Sequence, residues 1–197
     1  MRIISGKARG TKIQTIESNT TRPTLDRVKE SMFNILQNKI QGANVLDLFA
    51  GSGALGIEAL SRNANMAVFC DSNSESVRII KQNLNKSKLI ENAVIFNEDY
   101  KKCLKELNKR NYKFDIVFLD PPYLQNLSIK SLELIIQNEL LKDDAIVVIE
   151  TDQKIRDERE ILEIRDKFNI EIFDERKYGR ANLIFVRNIE ENDDGNI

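Results

Sequence analysis

Three glycines that follow an apolar run form the first stretch of this sequence whose residue types could do chemistry. The run Val45–Leu48 predicts a buried strand, and Gly51, Gly53 and Gly56 follow it around the start of a helix predicted over residues 54–62. A strand, a glycine-rich turn and a helix N-terminus form the cofactor-binding corner of a doubly wound α/β fold. Glycine suits this turn because the backbone must adopt conformations closed to other residues and must approach a ligand closely.

Two classes of cofactor fit this corner, and the residues beside the glycines distinguish them. The glycine spacing satisfies the dinucleotide fingerprint, and Asp71 stands where an acid would bind a ribose hydroxyl. Asp47 at the strand end and Phe49 before the glycines nevertheless resemble the first motif of S-adenosylmethionine (AdoMet) methyltransferases more than a nicotinamide site. AdoMet carries an ammonium and a sulfonium, so acidic groups near the turn make physical sense. A tight turn without a ligand is the plain structural alternative.

Asp120-Pro121-Pro122-Tyr123 is the second stretch that could do chemistry, at the end of a strand predicted over residues 114–119. Ligands of open α/β sheets bind beyond the carboxyl ends of the strands, so this segment should face the same crevice as the glycines. Prolines supply no N–H, so the Asp120 carboxylate and the Pro121 carbonyl form two neighbouring acceptors. With the flat ring of Tyr123, they suit a planar ring that carries an amino group, and such stacking contributes about 1–3 kcal/mol per base. The alternative is a rigid surface turn.

The residues of the two stretches together predict a methyl transfer by direct displacement. The amine nitrogen attacks the methyl group of AdoMet, and the sulfonium leaves as a thioether. Acceptor bonds to the amine hydrogens stabilise the developing positive charge. Holding the reactants in line can supply about 7–11 kcal/mol. Asp120 could accept the released proton.

Composition excludes several other kinds of chemistry. The chain of 197 residues contains no histidine, which excludes Ser-His-Asp catalysis and His-ligated metals. Its two cysteines, Cys70 and Cys103, have no metal-binding spacing, so no metal is expected. No run of eighteen apolar residues exists, and the N-terminus lacks the apolar core of a signal peptide. We therefore expect a cytoplasmic protein without a membrane span.

Charge is distributed unevenly along the chain. Net charge is −1, but residues 1–30 hold seven basic and three acidic side chains, or +4, which leaves −5 for the rest. This basic front end predicts an anionic partner at one place on the molecule. The last eight residues, 190–197, carry four acids and are typical of a solvated tail.

Hydrophobic periodicity predicts an α/β fold with a mainly parallel seven-stranded sheet and an antiparallel C-terminal edge pair. Residues 1–20 form a basic N-terminal extension, with a β-hairpin whose tip holds Lys7 and Arg9, and residues 21–189 form the main domain. Proline keeps the preceding Arg22 out of the helical region, so the first helix is predicted from about Thr24 to Lys39. The strands are predicted over residues 45–48, 66–70, 94–96, 114–119, 145–149, 170–173 and 183–186.

Longer segments that flank the two motifs narrow the resemblance to one family. Residues 2–10, residues 21–36 and Lys177-Tyr178-Gly179-Arg180 resemble the bacterial 16S rRNA guanine-N(2) methyltransferases of the RsmD type. The resemblance covers nearly the whole chain and departs from the family at Ser5 and in the acidic tail. It implies a Rossmann-like AdoMet methyltransferase fold. Its target would be a guanine amine in 16S rRNA, presented on the assembled small subunit to a monomeric enzyme and flipped out of the stack or single-stranded.

The same resemblance assigns roles to individual residues. The methionine part of AdoMet would be held by Asp47, Phe49, Gly51 and Gly53. The ribose hydroxyls would bind Asp71 beside Ser72, and the adenine would bind Asp99 and its neighbour Tyr100. The catalytic segment would be Asp120, Pro121, Pro122 and Tyr123. The residues that contact RNA would be Arg2, Lys7, Arg9 and Arg22.

Three other functions remain open at this point. A DNA adenine-N6 methyltransferase would share the Asp-Pro-Pro-Tyr segment but would need a separate recognition segment, for which this length leaves little room. A protein glutamine methyltransferase would fit Asn better than Asp at position 120. A non-catalytic AdoMet-binding or ribosome-assembly module would be favoured by the loss of either acid, Asp47 or Asp120, and both are present.

Overall fold

The computed structural model describes residues 1–15, 22–121, 127–179 and 181–189, and its centre is a seven-stranded sheet. The strands are β1 (Asn44–Asp47), β2 (Met66–Cys70), β3 (Ala93–Phe96), β4 (Phe114–Leu119), β5 (Leu141–Thr151), β6 (Ile170–Tyr178) and β7 (Ala181–Asn188). Their order is β3-β2-β1-β4-β5-β7-β6. The first five strands are parallel, whereas β7 runs antiparallel to both β5 and β6. The predicted α/β sheet and its antiparallel C-terminal pair are confirmed.

Helices cover both faces of this sheet. They are α1 (Arg22–Ile35), α2 (Gln37–Ile40), α3 (Ala54–Ser61), α4 (Ser74–Ser87), α5 (Tyr100–Lys109), α6 (Leu127–Gln137) and α7 (Lys154–Phe168). One buried apolar cluster joins the sheet to α1–α4, and a second joins the opposite face to α5–α7. The central strands are apolar on both sides because each face is covered, which is why they appear as unbroken apolar runs. In the described part of the chain, no helix combines the length and apolarity that crossing a bilayer requires.

Alternation along the central strands decides which side chains meet which helices. Val45, Phe118 and Val148 pack into the cluster beneath α1–α4. Their neighbours Leu46 and Ile149 pack into the cluster beneath α5–α7. Because side chains alternate between faces, a residue two positions beyond a member of the first cluster also points toward α1–α4. By the same rule, the polar side chains at the ends of these strands point toward α1–α4.

The N-terminal arm, residues 1–13, folds back on itself as the predicted hairpin does, but with little regular strand. Arg2 and Lys12 form an antiparallel bridge, and the Ile3 and Ile13 N–H groups donate across the arm to the Thr11 and Met1 carbonyls at 3.0 and 3.2 Å. Donors nearer its turn bind helix α3: Ile4 and Ser5 donate to the Glu58 carboxylate at 2.8 and 3.0 Å. Ser61 accepts from the Ala8 N–H at 3.0 Å through its hydroxyl. The donors that bind α3 are not available for pairing within the arm, which keeps the regular strand pairing to one bridge.

The first helix also differs from its prediction, at both ends. It begins at Arg22 rather than near Thr24, because the N–H groups of a first turn need no partner within the helix and Pro23 is accommodated there. It ends at Ile35, and a separate turn, α2, continues to Ile40. Arg22 is therefore a helical residue, contrary to the prediction.

Candidate functional site

Three carboxylates from adjacent strands point into one cleft at the carboxyl edge of the sheet. Asp47 ends β1, Asp120 follows β4, and Glu150 lies near the end of β5. Leu119 pairs with Ile149, so Asp120 and Glu150 follow at the same level on neighbouring strands. Asp47 is in register with Phe118, about 7 Å lower along the sheet for a rise of about 3.3 Å per residue.

The cleft has a volume of about 160 Å³ and lies between the sheet edge, α1 and α3. Its described lining residues are Met1, Val28, Lys29, Met32, Asp47, Phe49, Ala50, Gly51, Ser52, Ala54, Leu55, Asp120 and Glu150. The two motifs separated by about seventy residues in the sequence therefore share one cavity, as the strand-end rule predicts.

Asp47 and Asp71 shape the glycine-rich turn through backbone hydrogen bonds. Asp47 Oδ2 accepts from the Gly56 N–H at 2.9 Å, and Asp71 Oδ2 accepts from the Gly51 N–H at 2.8 Å. Gly51 and Gly53 have φ angles of +52° and +77°, in the left-handed region that favours glycine. The sequence pattern therefore has a local cause: two acids and two left-handed glycines bend the chain from β1 into α3.

Burial gives Asp47 an unusual protonation equilibrium. Its side chain is 3% exposed, and this burial raises its pKa to about 7. The bond from the Gly56 N–H lowers the pKa and the nearby charge of Asp71 raises it, both by less than burial does. A cation placed beside this carboxylate would stabilise its charged form, because the cation offsets the free-energy cost of keeping the charge out of water.

The predicted adenosine residues lie beside the cleft rather than in its wall. Phe49 lines the cleft and packs against Tyr100 with ring centroids 5.5 Å apart. Asp99 caps α5 by accepting from the Lys101 N–H at 2.9 Å, and Ser72 is exposed next to Asp71. Asp71, Ser72, Asp99 and Tyr100 thus occupy the ends of β2 and β3, and Phe49 connects that surface to the cleft.

Asp120 is exposed at the sheet edge, where it lines the cleft. Desolvation of its carboxyl by nearby protein atoms raises its pKa well above the usual range for an aspartic acid, and the nearby charges of Glu150 and Asp47 raise it further. Pro121 is buried. Pro122 and Tyr123 lie outside the described residues, so the predicted stacking ring and the second proline remain predictions.

The basic residues of the arm lie at different distances from the cleft. Arg2 is exposed and faces Asp26 at 3.8 Å, close to Met1 in the cleft wall. Lys7 and Arg9 are exposed, and the Lys7 N–H donates to the Ser61 carbonyl at 2.8 Å. Ser61 ends a helix of eight residues that begins at the cleft, so this tip lies about 12 Å along α3 from it. The side chain of Arg22, the fourth predicted RNA contact, lies outside the described part.

Sequence reasoning missed several residues of the cleft wall, among them Met1, Lys29 and Glu150. Lys29 is 3% exposed, donates to the Arg2 carbonyl at 2.7 Å and pairs with Glu58 at 3.2 Å. Nothing in the sequence distinguishes Lys29 from the other charged residues of α1. The sequence does contain a signal for Glu150, because this residue directly follows an unbroken apolar strand, as Asp120 does.

Comparison with known proteins finds a matching family model and named relatives. The family model described as Conserved hypothetical protein 95 matches residues 1–187. A Haemophilus influenzae protein named Ribosomal RNA small subunit methyltransferase D is 40% identical over 154 residues, which cover 78% of this chain and 79% of that protein. The Escherichia coli protein of the same name is 38% identical over 152 residues, covering 77% and 75%.

Solved structures give the same result for the fold. An E. coli structure described as a putative methyltransferase superposes with a TM-score of 0.77 at 29% identity and covers 96% of this chain and 98% of its own. A second structure, from H. influenzae and described as a putative methylase, gives a TM-score of 0.74 at 33% identity, with the same coverage of both chains.

Proposed function

The chain belongs to the family matched by the Conserved hypothetical protein 95 model, a family of methyltransferases, and on that premise we propose its reaction in detail. The enzyme transfers a methyl group from AdoMet to the exocyclic N2 amine of a guanine in 16S rRNA. The observation that carries the proposal is the single cleft that holds both Asp47 with its glycine-rich turn and Asp120.

The residues at the turn fit the charged end of AdoMet. Gly51 has open space where a side chain would stand, with no atom within 4 Å of an ideal Cβ, so a ligand can approach its backbone. Asp47, buried beneath the turn, supplies a negative charge that a cationic ligand would stabilise. Asp71 uses each carboxylate oxygen for one backbone bond, which leaves further lone pairs for ribose hydroxyls. Phe49 and Tyr100 offer apolar rings for the adenine, and Ser72 and Asp99 border them.

The residues at the end of β4 fit the amine that receives the methyl group. Bound AdoMet supplies an electrophilic methyl group on a sulfonium. Asp120 and the carbonyl of Pro121 would accept hydrogen bonds from the two amine hydrogens and orient the nitrogen lone pair. Asp120 would stabilise the positive charge that develops on the nitrogen as it gains the methyl group, and would then take one proton. Pro122 and Tyr123 extend this segment, and Tyr123 would stack on the base.

The basic arm fits the anionic part of the substrate. Arg2 lies near the cleft mouth, whereas Lys7 and Arg9 reach about 12 Å farther along α3, a spacing suited to a large nucleic acid rather than a free base. Arg22, at the start of α1, extends this basic segment in the sequence. We propose that the partner is 16S rRNA within assembled small-subunit protein–RNA, bound by one copy of the chain without a metal.

The substrate class is tested by methylation with labelled AdoMet. Naked 16S rRNA, assembled small subunits, duplex DNA and release-factor protein are compared, and the labelled nucleotide is mapped. We expect label only in samples that contain rRNA, on the N2 of a guanine. Label in DNA would support the adenine-N6 alternative, label in protein the glutamine alternative, and no label with intact AdoMet binding the non-catalytic module.

The role of Asp120 is tested on the same substrate with Asp120→Ala. We expect at least about a 100-fold loss of turnover, the usual effect of removing one group that stabilises the transition state. AdoMet affinity by calorimetry should stay within about threefold of the wild type. Asp143→Asn, at an exposed position of β5, is the matched control and should keep full activity. A near-normal rate in Asp120→Ala would refute the assigned role.

A further inference from the structure

We propose that Glu150 is the residue that selects guanine, by accepting a hydrogen bond from the N1–H of the target base while Asp120 holds the N2 amine. The inference rests on the proposed function and extends it to a residue outside both motifs. Glu150 would touch the substrate but take no part in bond making.

The position of Glu150 in the sheet supports this role. It lies level with Asp120 on the adjacent parallel strand, because the register pairs Leu119 with Ile149 just before them. Neighbouring strands lie about 4.8 Å apart, so the two side chains leave the sheet edge about that far from each other. Both point toward α1 and α3, as alternation from Phe118 and Val148 requires, and both line the cleft.

The strand end that carries Glu150 is held in place. Thr151, the next residue, is buried, and its carbonyl accepts from the side-chain amide of Asn182 on β7 at 3.2 Å. The Thr151 hydroxyl accepts from the Gln153 N–H at 2.9 Å, which turns the chain toward α7. Glu150 itself is half-buried on a strand paired on both sides, so its backbone is fixed relative to Asp120. A rigid backbone is what a group that discriminates between bases needs.

The chemistry of the purine ring completes the argument. Guanine presents the N1–H and the N2 amine side by side, so its edge offers adjacent donors. Adenine has an unprotonated N1, which would place a lone pair against the Glu150 carboxylate. In their ionised forms, the two neighbouring carboxyl groups and the Pro121 carbonyl form a set of acceptors only, and such a set fits the guanine edge and repels the adenine edge. In the described part of the chain, these acids do not converge as a metal site would require.

Lys29 adds a cation to this acidic cleft. It lines the cleft wall, and its ammonium is bound to Glu58 and to the Arg2 carbonyl. It therefore places a positive charge in the same wall as Asp120 and Glu150. The cleft is thus suited to a donor-rich, uncharged ring edge rather than to a phosphate group.

The experiment compares two bases at the mapped target position in rRNA assembled from ligated fragments. One substrate carries guanine, and the other carries 2-aminopurine, which keeps the 2-amino group but lacks the N1–H. We expect the wild type to prefer guanine by about 10- to 100-fold in kcat/KM, the usual effect of one hydrogen bond to a charged group. Glu150→Gln should lose most of this preference, to within about threefold, because its amide can donate to the bare N1 of 2-aminopurine.

Two controls separate this inference from its premises. Glu139→Gln, at a site whose side chain is 82% exposed, should keep the wild-type preference. Calorimetry should show unchanged AdoMet affinity in Glu150→Gln. If Glu150→Gln slows both substrates equally, the residue has a structural or proton-accepting role and the inference fails. If the wild type methylates no guanine at all, the proposed function fails instead.

Discussion

The carboxyl group of Asp47 should make the ligand-free protein less stable as pH rises, and Asp47→Asn should remove this effect. Burial raises the folded-state pKa to about 7 from the ordinary value of 3.8 for an aspartic acid. The folded protein therefore binds this proton more tightly than the unfolded chain does. Stability from this group is fully present below pH 3.8, falls as pH rises toward 7 and stays low above it.

The size of the effect follows from the separation of the two pKa values. Between pH 5 and pH 8 the wild type loses about 3 kcal/mol in all, at no more than about 1.4 kcal/mol per pH unit. Asparagine is neutral throughout, and its Oδ1 can still accept from the Gly56 N–H that Asp47 binds. The variant should therefore be more stable than the wild type, by about 3 kcal/mol more at pH 8 than at pH 5.

Urea unfolding of both proteins without ligand at the two pH values measures this difference. For a chain of this length, 3 kcal/mol corresponds to about 6–12 °C in Tm, so thermal unfolding is a second measure. Asp143→Asn changes net charge equally at an exposed position and should stay within about 0.5 kcal/mol of the wild type. The variant should also bind AdoMet about 10- to 100-fold more weakly, since a nearby opposite charge is lost. A stability difference that is the same at pH 5 and pH 8 would refute the reasoning.

Three further predictions concern the N-terminal arm. Gly6→Ala should release the arm from α3, because a Cβ would stand 1.8 Å from the Ser61 carbonyl oxygen and the φ of +83° disfavours any side chain. Trypsin should then cleave the arm faster, and unchanged cleavage would contradict the docking of the arm on α3. Glu58→Gln should lower the unfolding free energy by about 3 kcal/mol, because a buried lysine loses its charged partner, and urea unfolding measures this loss. Replacing Lys7 and Arg9 together by Gln should weaken rRNA binding and reduce the slope of log K against log salt by about 2; an unchanged slope would mean that they make no phosphate contacts.

Most of the fold could be predicted because its signals are local. The apolar runs of β2 and β4 gave their bounds without error, and the other strands differ mainly by extension at their ends. The shared cleft also followed from the sequence, since parallel strands bring their carboxyl ends to one edge. The sequence alone therefore predicts that Asp47 and Asp120 lie in the same cleft.

The errors arise where distant segments compete for the same groups. The hairpin is shorter than predicted because Glu58 and Ser61, more than fifty residues away in sequence, take donors near its turn that further strand pairing would use. The presence of Lys29 in the cleft wall depends on how α1 packs across the sheet. The hydrophobic periodicity of the sequence does not predict this packing. Glu150 was overlooked because a single acid after a strand is a weak signal until its neighbour is known.

The packing of residues 1–13 has a consequence for anyone who would shorten this protein. Ile3, Ala8 and Ile13 are buried in the same cluster as α1 and α3, so the arm is a piece of the protein's interior as much as an RNA contact. Cutting it away would uncover apolar surface and strip donors from Glu58 at the same time. A shortened chain that failed to hold rRNA would then report a damaged scaffold, whereas exchanges confined to outward-facing side chains would report recognition alone.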